Sequence, residues 1–341
     1  MKIPDEKIIN VGVIGCGFGW FHIEAISDYP DHSVRVKTIC DQSSEKLAMV
    51  KGWLGSKADG VVFTQNSREI MDDPDIDVVC ISLPHHLHLP FVKEAAAAGK
   101  NIMLDKPMAR NESEAAEIVE AVNNAGIQAM VAFNFRYHPQ YQAMQQAIAS
   151  GRIGKVLLSQ SRHYQRFYPA ENSNWRNRES IGGGAIMGSG VHNIDFMRFC
   201  LGDPEEVYAC AVNDYKRLDA EAGASVIFRY ASGTVVNFFC NWCKSSTAVD
   251  AARKFGEWEF FGDNGELRLH EDGVLRICRL DNSAEELICD STSQFLRQWE
   301  HFADCLRSGK TPLTNMEESF KTQHLIAKVY ESMRSGRPEK V

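Results

Sequence analysis

The chain has 341 residues, of which 44% are hydrophobic and 24% are charged. This length exceeds what one hydrophobic core usually accommodates, so we expect two domains, and the composition excludes a disordered chain or a small disulfide-stapled scaffold. The formal net charge of −8 excludes a broad cationic surface. Nucleic acids and anionic membranes are therefore not expected partners.

We predict neither export nor membrane insertion. The first ten residues are charged and lack an apolar segment, and no later window approaches about 18 uninterrupted apolar residues. A cytoplasmic protein with reduced cysteines is expected. The only C-x-x-C pair, Cys240 and Cys243, has no second pair and no neighbouring histidine, so no metal site is predicted there.

The first part of the chain alternates short β-rich runs with helical patterns. The β-rich runs span residues 8–14, 34–40, 61–63, 77–83, 101–104 and 127–132, and the helix candidates span 20–29, 43–52, 66–72, 87–98 and 111–125. Strands that are apolar on both faces and separated by single helices indicate a parallel sheet covered on both sides. We therefore predict a doubly wound α/β domain over residues 1–132.

A glycine-rich turn follows the first predicted strand and opens the first predicted helix. Gly15 permits a tight turn, and Gly17 lets the backbone approach a pyrophosphate, whose charge would face the free N–H groups of the helix N-terminus. Phe18 and Gly19 complete the turn. Trp20 stands where the dinucleotide-binding pattern usually has its third glycine or an alanine. The order of strand, turn and helix still predicts a dinucleotide-binding site.

An acidic residue, Asp41, follows the second predicted strand. A carboxylate there suits the hydroxyl groups of an adenosine ribose and would repel a 2′-phosphate. Residues 42–44 include no arginine that would attract such a phosphate. The expected cofactor is therefore NAD, bound in part by Gly15, Gly17, Phe18, Gly19 and Asp41.

After residue 132 the alternation ends, and a second architecture is predicted over residues 133–341. A helix at 138–150 precedes β-rich runs at 155–167, 206–215, 222–230 and 234–242, a helix at 186–200 follows a triple glycine, and two helices close the chain at 292–308 and 315–335. Residues 232–233, 263–265 and 271–273 have hairpin-turn composition. These patterns predict an α/β domain with a large, mostly antiparallel sheet, with the last helices packing back on the domain junction.

Several blocks of sequence together resemble the glucose–fructose oxidoreductase and inositol dehydrogenase family, called Gfo/Idh/MocA. The blocks are the glycine-rich turn and residues 82–88, 99–100, 105–107, 151–154, 175–176, 182–184, 192 and 195. The resemblance covers nearly the whole chain. It implies an amino-terminal Rossmann domain, a carboxy-terminal α/β domain with an open sheet, and hydride transfer between a nicotinamide and a sugar, a cyclitol or a related polyol.

The resemblance also implies the catalytic residues. Lys106, in the motif Asp105-Lys106-Pro107, matches a lysine near the nicotinamide, where its ammonium would stabilise negative charge on the reacting oxygen. His192 matches the histidine that exchanges the proton. The family usually has glutamate where this chain has Asp105. Many relatives also carry a carboxylate four residues before the histidine, and this chain has Gly188 there.

The absent carboxylate has two expected consequences. Asp195, one helical turn beyond His192, becomes the nearest candidate in the sequence to replace it as the partner of the imidazole. Gly188 is also expected to leave room for a bulkier substrate or for a carboxylate of the substrate.

Further cofactor and substrate contacts follow from the matched motifs. Leu83, His85, His88 and Asp105 are expected against the nicotinamide half of the cofactor, and Trp175 and Arg176 are expected to close over it. Substrate contacts are expected from residues at strand ends or near the domain junction, namely Asn134, Arg136, His163, Tyr164 and Asp195. No metal is expected at residues 85–88, because no carboxylate or cysteine cluster accompanies the histidines.

The sequence as a whole predicts an NAD-dependent oxidoreductase acting on a hydroxyl-bearing carbon of a sugar, a sugar derivative or a cyclitol. Two alternatives remain open: an NAD-dependent glycosidase-like enzyme that oxidises its substrate transiently, and a non-catalytic NAD-sensing regulator. A homodimer or homotetramer through the carboxy-terminal sheet is expected, because Phe238 and Trp242 share one face of a predicted strand and Phe239 lies on the other.

Overall fold

A computed structural model describes residues 2–164, 179–212, 219–242, 257–270 and 273–341. The chain forms two compact units. The first contains Met1–Tyr137 and Thr292–Lys321, and the second contains His138–Ser291 and Thr322–Val341. The boundary between the units at 137/138 lies close to the domain boundary predicted at 132/133. Residues 292–321 were predicted to belong to the second domain, but they group with the first unit.

The first unit is built on a six-stranded parallel sheet in the order β3-β2-β1-β4-β5-β6. Its strands are β1 (Ile9–Ile14), β2 (Val34–Cys40), β3 (Val62–Thr64), β4 (Val78–Ile81), β5 (Asn101–Leu104) and β6 (Ala129–Val131). Its first five helices are α1 (Gly19–Ser27), α2 (Ser44–Leu54), α3 (Arg68–Met71), α4 (His88–Ala97) and α5 (Glu112–Ala125). The predicted doubly wound fold is confirmed.

Local chemistry sets the limits of these helices. The hydroxyl of Ser43 accepts the N–H of Lys46 at the start of α2, and the amide oxygen of Asn111 accepts the N–H of Glu114 at the start of α5. Gly126 ends α5 in the left-handed region at φ 64°. The strand order reverses between β1 and β4, which is where doubly wound sheets bind ligands.

The helix α8 (Gln294–Ser308) explains why residues 292–321 group with the first unit. Its Trp299 and Phe302 are buried in the core of that unit, and the Trp299 indole N–H donates to Nδ1 of His22 on α1 at 3.1 Å. Phe295 stacks on Phe21 at 5.0 Å between ring centres. Burying this aromatic face against α1 removes large apolar area from water.

The second unit is built on a nine-stranded sheet in the order β14-β13-β12-β11-β7-β10-β9-β8-β15. Its strands are β7 (Val156–Tyr164), β8 (Glu206–Val212), β9 (Gly223–Arg229), β10 (Val235–Asn241), β11 (Glu257–Gly262), β12 (Gly265–Leu269), β13 (Leu275–Arg279), β14 (Ala284–Leu287) and β15 (Glu339–Lys340). Strands β7 and β10 pair in parallel, and the other pairs are antiparallel. The predicted mostly antiparallel sheet is confirmed.

The helices of the second unit include α6 (Pro139–Ala149) and α7 (Val191–Leu201). A π-helical turn, Ile186–Gly190, runs directly into α7. The last helix, α9 (Met316–Ser335), begins in the first unit and continues into the second.

The two faces of the large sheet differ as the alternation of β10 predicts. Phe238, Cys240 and Trp242 are buried, whereas Phe239 is 37% exposed on the opposite face. The strand register places further exposed apolar side chains on the same face of the sheet as Phe239, and these are Leu158, Tyr164, Tyr208, Val212 and Ile227. We call the surface formed by these six residues the open face.

We expect the open face to mediate a homodimer or homotetramer, because several large apolar side chains exposed on one face of a sheet are unfavourable in water. Light scattering at micromolar concentration should give a mass at least twice that of the chain. Phe239→Asp should shift the protein towards the monomer, and Met49→Asp, at an exposed apolar residue on α2, is the matched control. A monomeric wild-type protein would contradict this expectation.

Candidate active site

The turn between β1 and α1 has the geometry that a dinucleotide needs. Gly15 has φ 97°, and a Cβ at this position would lie 2.2 Å from the carbonyl oxygen of Ser82, so only glycine fits. Gly17 is exposed, and no atom lies within 4 Å of where its Cβ would be. The backbone at Gly17 is thus open to the close approach of a phosphate group.

Gly19 takes over the packing role of the third glycine in the pattern. It begins α1, and its Cβ would lie 3.3 Å from Val13 on β1 and 3.4 Å from Ser82. Trp20 instead points to α2, where its ring centre lies 4.1 Å from that of Trp53. Although the third glycine comes one residue earlier than usual, α1 still packs closely against β1.

Asp41 is held in place by the backbone around it. Its Oδ2 accepts the N–H of Cys16 at 2.8 Å, and its Oδ1 accepts the N–H of Ser43 at 2.9 Å. The Asp41 carboxylate, at the carboxyl end of β2, is thereby bonded to the glycine-rich turn that follows β1. This arrangement fits the adenosine ribose of NAD, because a pre-oriented carboxylate can accept hydrogen bonds from two adjacent hydroxyl groups.

We expect NAD to bind at least about tenfold more tightly than NADP, a difference of about 1.4 kcal/mol, because the Asp41 carboxylate would repel a 2′-phosphate. Fluorescence titration with both reduced cofactors measures the two dissociation constants. Asp41→Ser should reduce the preference, and Asp59→Ser, at an exposed carboxylate, is the control. Equal dissociation constants in the wild type would refute the assignment of Asp41.

Lys106 lies at the carboxyl end of β5, next to the glycine-rich turn. Its Nζ is 5.7 Å from the centre of the Phe18 ring, within the range of a cation–π contact. The preceding Asp105 accepts the hydroxyl of Ser82 at 3.0 Å on Oδ2 and the backbone N–H of Lys106 at 2.8 Å on Oδ1. Although Asp105 is one methylene group shorter than the glutamate usual in the family, these two bonds anchor the segment that carries Lys106. The Lys106–Pro107 peptide bond is cis.

His88 connects the segment of Leu83 with that of Pro107. The ring is completely buried, with Nδ1 2.9 Å from the Pro107 carbonyl oxygen and Nε2 2.9 Å from the Leu83 carbonyl oxygen. Burial lowers the pKa of His88, opposed by the Asp105 carboxylate, so a neutral ring donates to only one of these oxygens at a time. His85 is also buried, with its ring centre 5.7 Å from that of His88.

Leu83, Asn134 and Arg136 have different surroundings within the first unit. Leu83 packs beside Gly15, its Cδ2 being 3.1 Å from where a Cβ would lie. Arg136 forms a salt bridge with Glu318 at 3.2 Å. The Oδ1 of Asn134 is buried and has no hydrogen-bond partner among the described residues. A buried acceptor of this kind is suited to a hydroxyl or amide group of a ligand.

In the second unit, the strand β7 is linked to the helix that carries His192. His192 is the second residue of α7, and the neighbouring Asn193 accepts Nδ1–H of His163 at 3.0 Å and donates to the hydroxyl of Ser161 at 2.7 Å. Tyr164 lies on the opposite face, where its ring centre is 5.7 Å from that of Phe239. The alternation of β7 thus separates His163 from Tyr164, and the structure does not bring Tyr164 to the side of α7.

Asp195 is part of a buried polar chain. It has no exposed surface, and its Oδ1 accepts the hydroxyl of Thr322 at 2.9 Å. Thr322 in turn accepts an N–H of Arg198 at 2.8 Å. These bonds fix α7 to α9 and satisfy groups that would be costly to bury alone.

The structure corrects the expectation that Gly188 leaves room for substrate. A Cβ at Gly188 would lie 2.7 Å from Cζ2 of Trp242, so the indole ring already fills this space. The Trp242 indole N–H donates to the hydroxyl of Ser189 at 2.8 Å, which holds the ring against the turn. The sequence did not indicate Trp242 or Ser189 as residues that shape the surroundings of Gly188, because their contact joins positions more than 50 residues apart.

We expect Gly188→Ala to destabilise the protein by about 1–3 kcal/mol, because the added methyl group meets an aromatic ring that cannot move freely. Gly52→Ala is the matched control. It lies in α2 with no atom within 4 Å of its Cβ position, and should stabilise the protein by about 0.5–1 kcal/mol. Urea unfolding measures both; an unchanged midpoint for Gly188→Ala would contradict the steric interpretation.

Trp175, Arg176 and Cys243 lie outside the described residues. Among the residues that are described, no group of three or more His, Cys, Asp or Glu side chains is arranged to hold a metal ion. Within the same part of the chain, no helix combines the length and apolar composition needed to cross a membrane.

Comparison with known proteins identifies the family in two consecutive segments. Residues 9–133 match the oxidoreductase family with an NAD-binding Rossmann fold, and residues 141–268 match the GFO/IDH/MocA C-terminal domain. A levoglucosan dehydrogenase from Pseudarthrobacter phenanthrenivorans is 34% identical over 214 residues, which are 59% of this chain and 53% of that enzyme. The match thus spans about half the length of that relative. A D-apiose dehydrogenase from Paraburkholderia graminis is 26% identical over 97% of this chain and 89% of its own length.

Solved structures share the fold. A levoglucosan dehydrogenase in complex with NADH superposes with a TM-score of 0.87 at 24% identity, covering 98% of this chain and 99% of that one. The aldose-aldose oxidoreductase from Caulobacter crescentus superposes with a TM-score of 0.85 at 21% identity, covering 98% of this chain and 100% of that one. The chain belongs to the Gfo/Idh/MocA family of oxidoreductases, and its amino-terminal domain is the family's NAD-binding Rossmann fold.

Proposed function

We propose that the protein is an NAD-dependent oxidoreductase that transfers a hydride between the nicotinamide and a hydroxyl-bearing carbon of a sugar, a sugar derivative or a cyclitol. The observation that carries the proposal is the position of Lys106, whose ammonium lies 5.7 Å from the Phe18 ring in the dinucleotide turn. The names of relatives support the substrate class, since they include levoglucosan, D-apiose and inositol dehydrogenases.

Lys106 would bind the reacting oxygen of the substrate. Its positive charge stabilises the negative charge that develops on this oxygen when the hydroxyl proton leaves, and this is the electrostatic part of the catalysis. Asp105 and Ser82 orient the backbone from which the lysine projects. When bound, NAD supplies the ring that accepts or returns the hydride.

His192 would exchange the proton of the substrate hydroxyl. An imidazole does this near neutral pH without a large change of its pKa. Asn193 helps to fix the first turn of α7 through Ser161 and His163 on β7. These bonds hold the part of the helix backbone that carries His192 against β7.

Other residues would form the binding surface. We assign Gly15, Gly17, Phe18, Gly19 and Asp41 to the adenosine and pyrophosphate half of NAD, and Leu83, His85, Trp175 and Arg176 to the nicotinamide half. His88 supports this surface through its two carbonyl contacts. Asn134, with its available buried amide oxygen, is the strongest of the proposed substrate contacts.

A panel of substrates tests the proposal. Aldoses, anhydrosugars, cyclitols, amino sugars and uronates are offered with NAD, and their oxidised forms with NADH, while the absorbance of the reduced nicotinamide is followed. Net accumulation or consumption of NADH with any member supports an oxidoreductase. Turnover of a glycoside without net redox change would favour the glycosidase-like alternative, and NAD binding without any turnover would favour a regulator.

A further inference from the structure

A buried carboxylate, Glu221, lies beneath the turn that leads to His192. It precedes β9, is 5% exposed, and does not belong to any motif that the sequence singled out. Its Oε1 accepts the backbone N–H of Ile186 at 2.8 Å and the hydroxyl of Tyr330 at 2.9 Å, and its backbone oxygen accepts the N–H of Ala185 at 3.0 Å. One residue thus binds two successive backbone groups at the start of the π-helical turn.

The loop before the turn is shaped around this carboxylate. Gly184 has φ 117°, and a Cβ at this position would lie 2.3 Å from Oε2 of Glu221. Only glycine allows the backbone to come this close. The thiol of Cys240 on β10 donates to the carbonyl oxygen of Ala185 at 3.4 Å, so Cys240 and Glu221 both fix the segment. One glycine of the triple-glycine segment, Gly184, is therefore required because the Glu221 carboxylate packs against its Cα.

The fixed segment determines where α7 begins. The π-helical turn Ile186–Gly190 continues without interruption into α7, whose second residue is His192. A π turn is rare, and its hydrogen bonds span five residues instead of the four of an α-helix, so contacts from outside the helix help to keep this register. A change in the position of Ile186 would be transmitted along the helix to the imidazole.

We propose that Glu221 is a positioning residue for His192, acting through its hydrogen bonds to Ile186 and Tyr330. The proposal rests on the proposed function, in which His192 exchanges the proton. Glu221 would act through its acceptor oxygen and not through its charge, because both side-chain bonds go to Oε1 and a proton on Oε2 would leave them intact.

The groups around Glu221 agree with this interpretation. Burial raises the pKa of the Glu221 carboxyl to about 7, with a smaller contribution from the charge of Glu179. Desolvation also raises the pKa of the Tyr330 hydroxyl and of the Cys240 thiol, so both remain protonated donors. The acceptor at Oε1 is therefore present on both sides of neutral pH.

Two substitutions separate the acceptor from the charge. Glu221→Gln removes the charge and keeps an oxygen at the position of Oε1, whereas Glu221→Asp keeps the charge and withdraws the oxygens by one methylene group. We expect Glu221→Asp to lower kcat by about tenfold or more, since small misplacements of a catalytic group are costly, and Glu221→Gln to retain most of the turnover. NAD affinity, measured by fluorescence, should stay within about twofold in both.

A double-mutant cycle with His192→Ala supplies the decisive readout. If Glu221 acts through His192, Glu221→Asp should cause no further loss of kcat in the His192→Ala background. Equal losses in both backgrounds would show a general structural effect and would overturn the inference. A Glu221→Gln variant as impaired as Glu221→Asp, or a Glu221→Asp variant with wild-type kcat, would also overturn it.

The same variants distinguish failure of the inference from failure of the proposed function. A large loss in His192→Ala together with wild-type turnover in Glu221→Asp refutes only the positioning role. Wild-type turnover in His192→Ala itself refutes the role of His192 in catalysis, and with it the positioning role.

Discussion

His192→Ala should lower kcat by about 10² or more on the best substrate of the panel, since this is the usual loss when a general acid–base group is removed. Lys106→Ala should lower kcat by at least as much, because the charge developing on the substrate oxygen then has no ammonium to stabilise it. Both losses should appear in kcat and in kcat/KM together, as expected for interactions made in the transition state.

The controls for this prediction separate catalysis from folding and cofactor binding. The dissociation constant of NAD should change by no more than a few-fold in either variant, and the unfolding midpoint should be retained. Lys93→Ala, at an exposed lysine that pairs with Glu117 on the surface, is the matched control for Lys106→Ala. If His192→Ala keeps turnover within a few-fold of wild type, another group moves the proton and our mechanism is wrong.

Glu221 should make the stability of the protein fall as the pH rises towards neutrality. Burial raises the pKa of this carboxyl from 4.5 to about 7 in the folded state. Between these values the folded chain holds a proton that the unfolded chain has lost, so the free energy of unfolding decreases with pH. The difference corresponds to roughly 3 kcal/mol, fully present below pH 4.5 and lost above pH 7.

Glu221→Gln should remove this dependence, because its side chain does not titrate. Urea unfolding from pH 4.5 to 8 should therefore show that the variant gains stability relative to wild type as the pH rises. Glu120→Gln, at an exposed position on α5, is the matched control for the loss of one carboxylate. If the free energies of unfolding of wild type and Glu221→Gln differed by the same amount at every pH in this range, Glu221 would have a similar pKa in the folded and unfolded states.

Much of the fold and part of the candidate site could be predicted from the sequence, because the signals are local. The central strands β1 and β4 are short, fully buried and mainly apolar runs, and the turns at 232–233 and 263–265 lie between paired antiparallel strands as their composition predicts. Gly15, Gly17 and Asp41 could be proposed as cofactor contacts because a dinucleotide site requires glycine and a carboxylate at defined points in a strand, turn and helix. The family could be recognised from the order of such motifs along the chain.

The tertiary structure alone decided the contacts between residues that are distant in the sequence. Trp242 fills the space beside Gly188, Glu221 holds the turn before α7, and α8 returns to the first unit through Trp299. Each depends on which side chain another segment brings to a given point, and no local pattern records this. The sequence therefore determined most of the elements, the family and the residues that can be proposed for the site, whereas packing determined which residues support them, because close packing couples positions by shape and not by order.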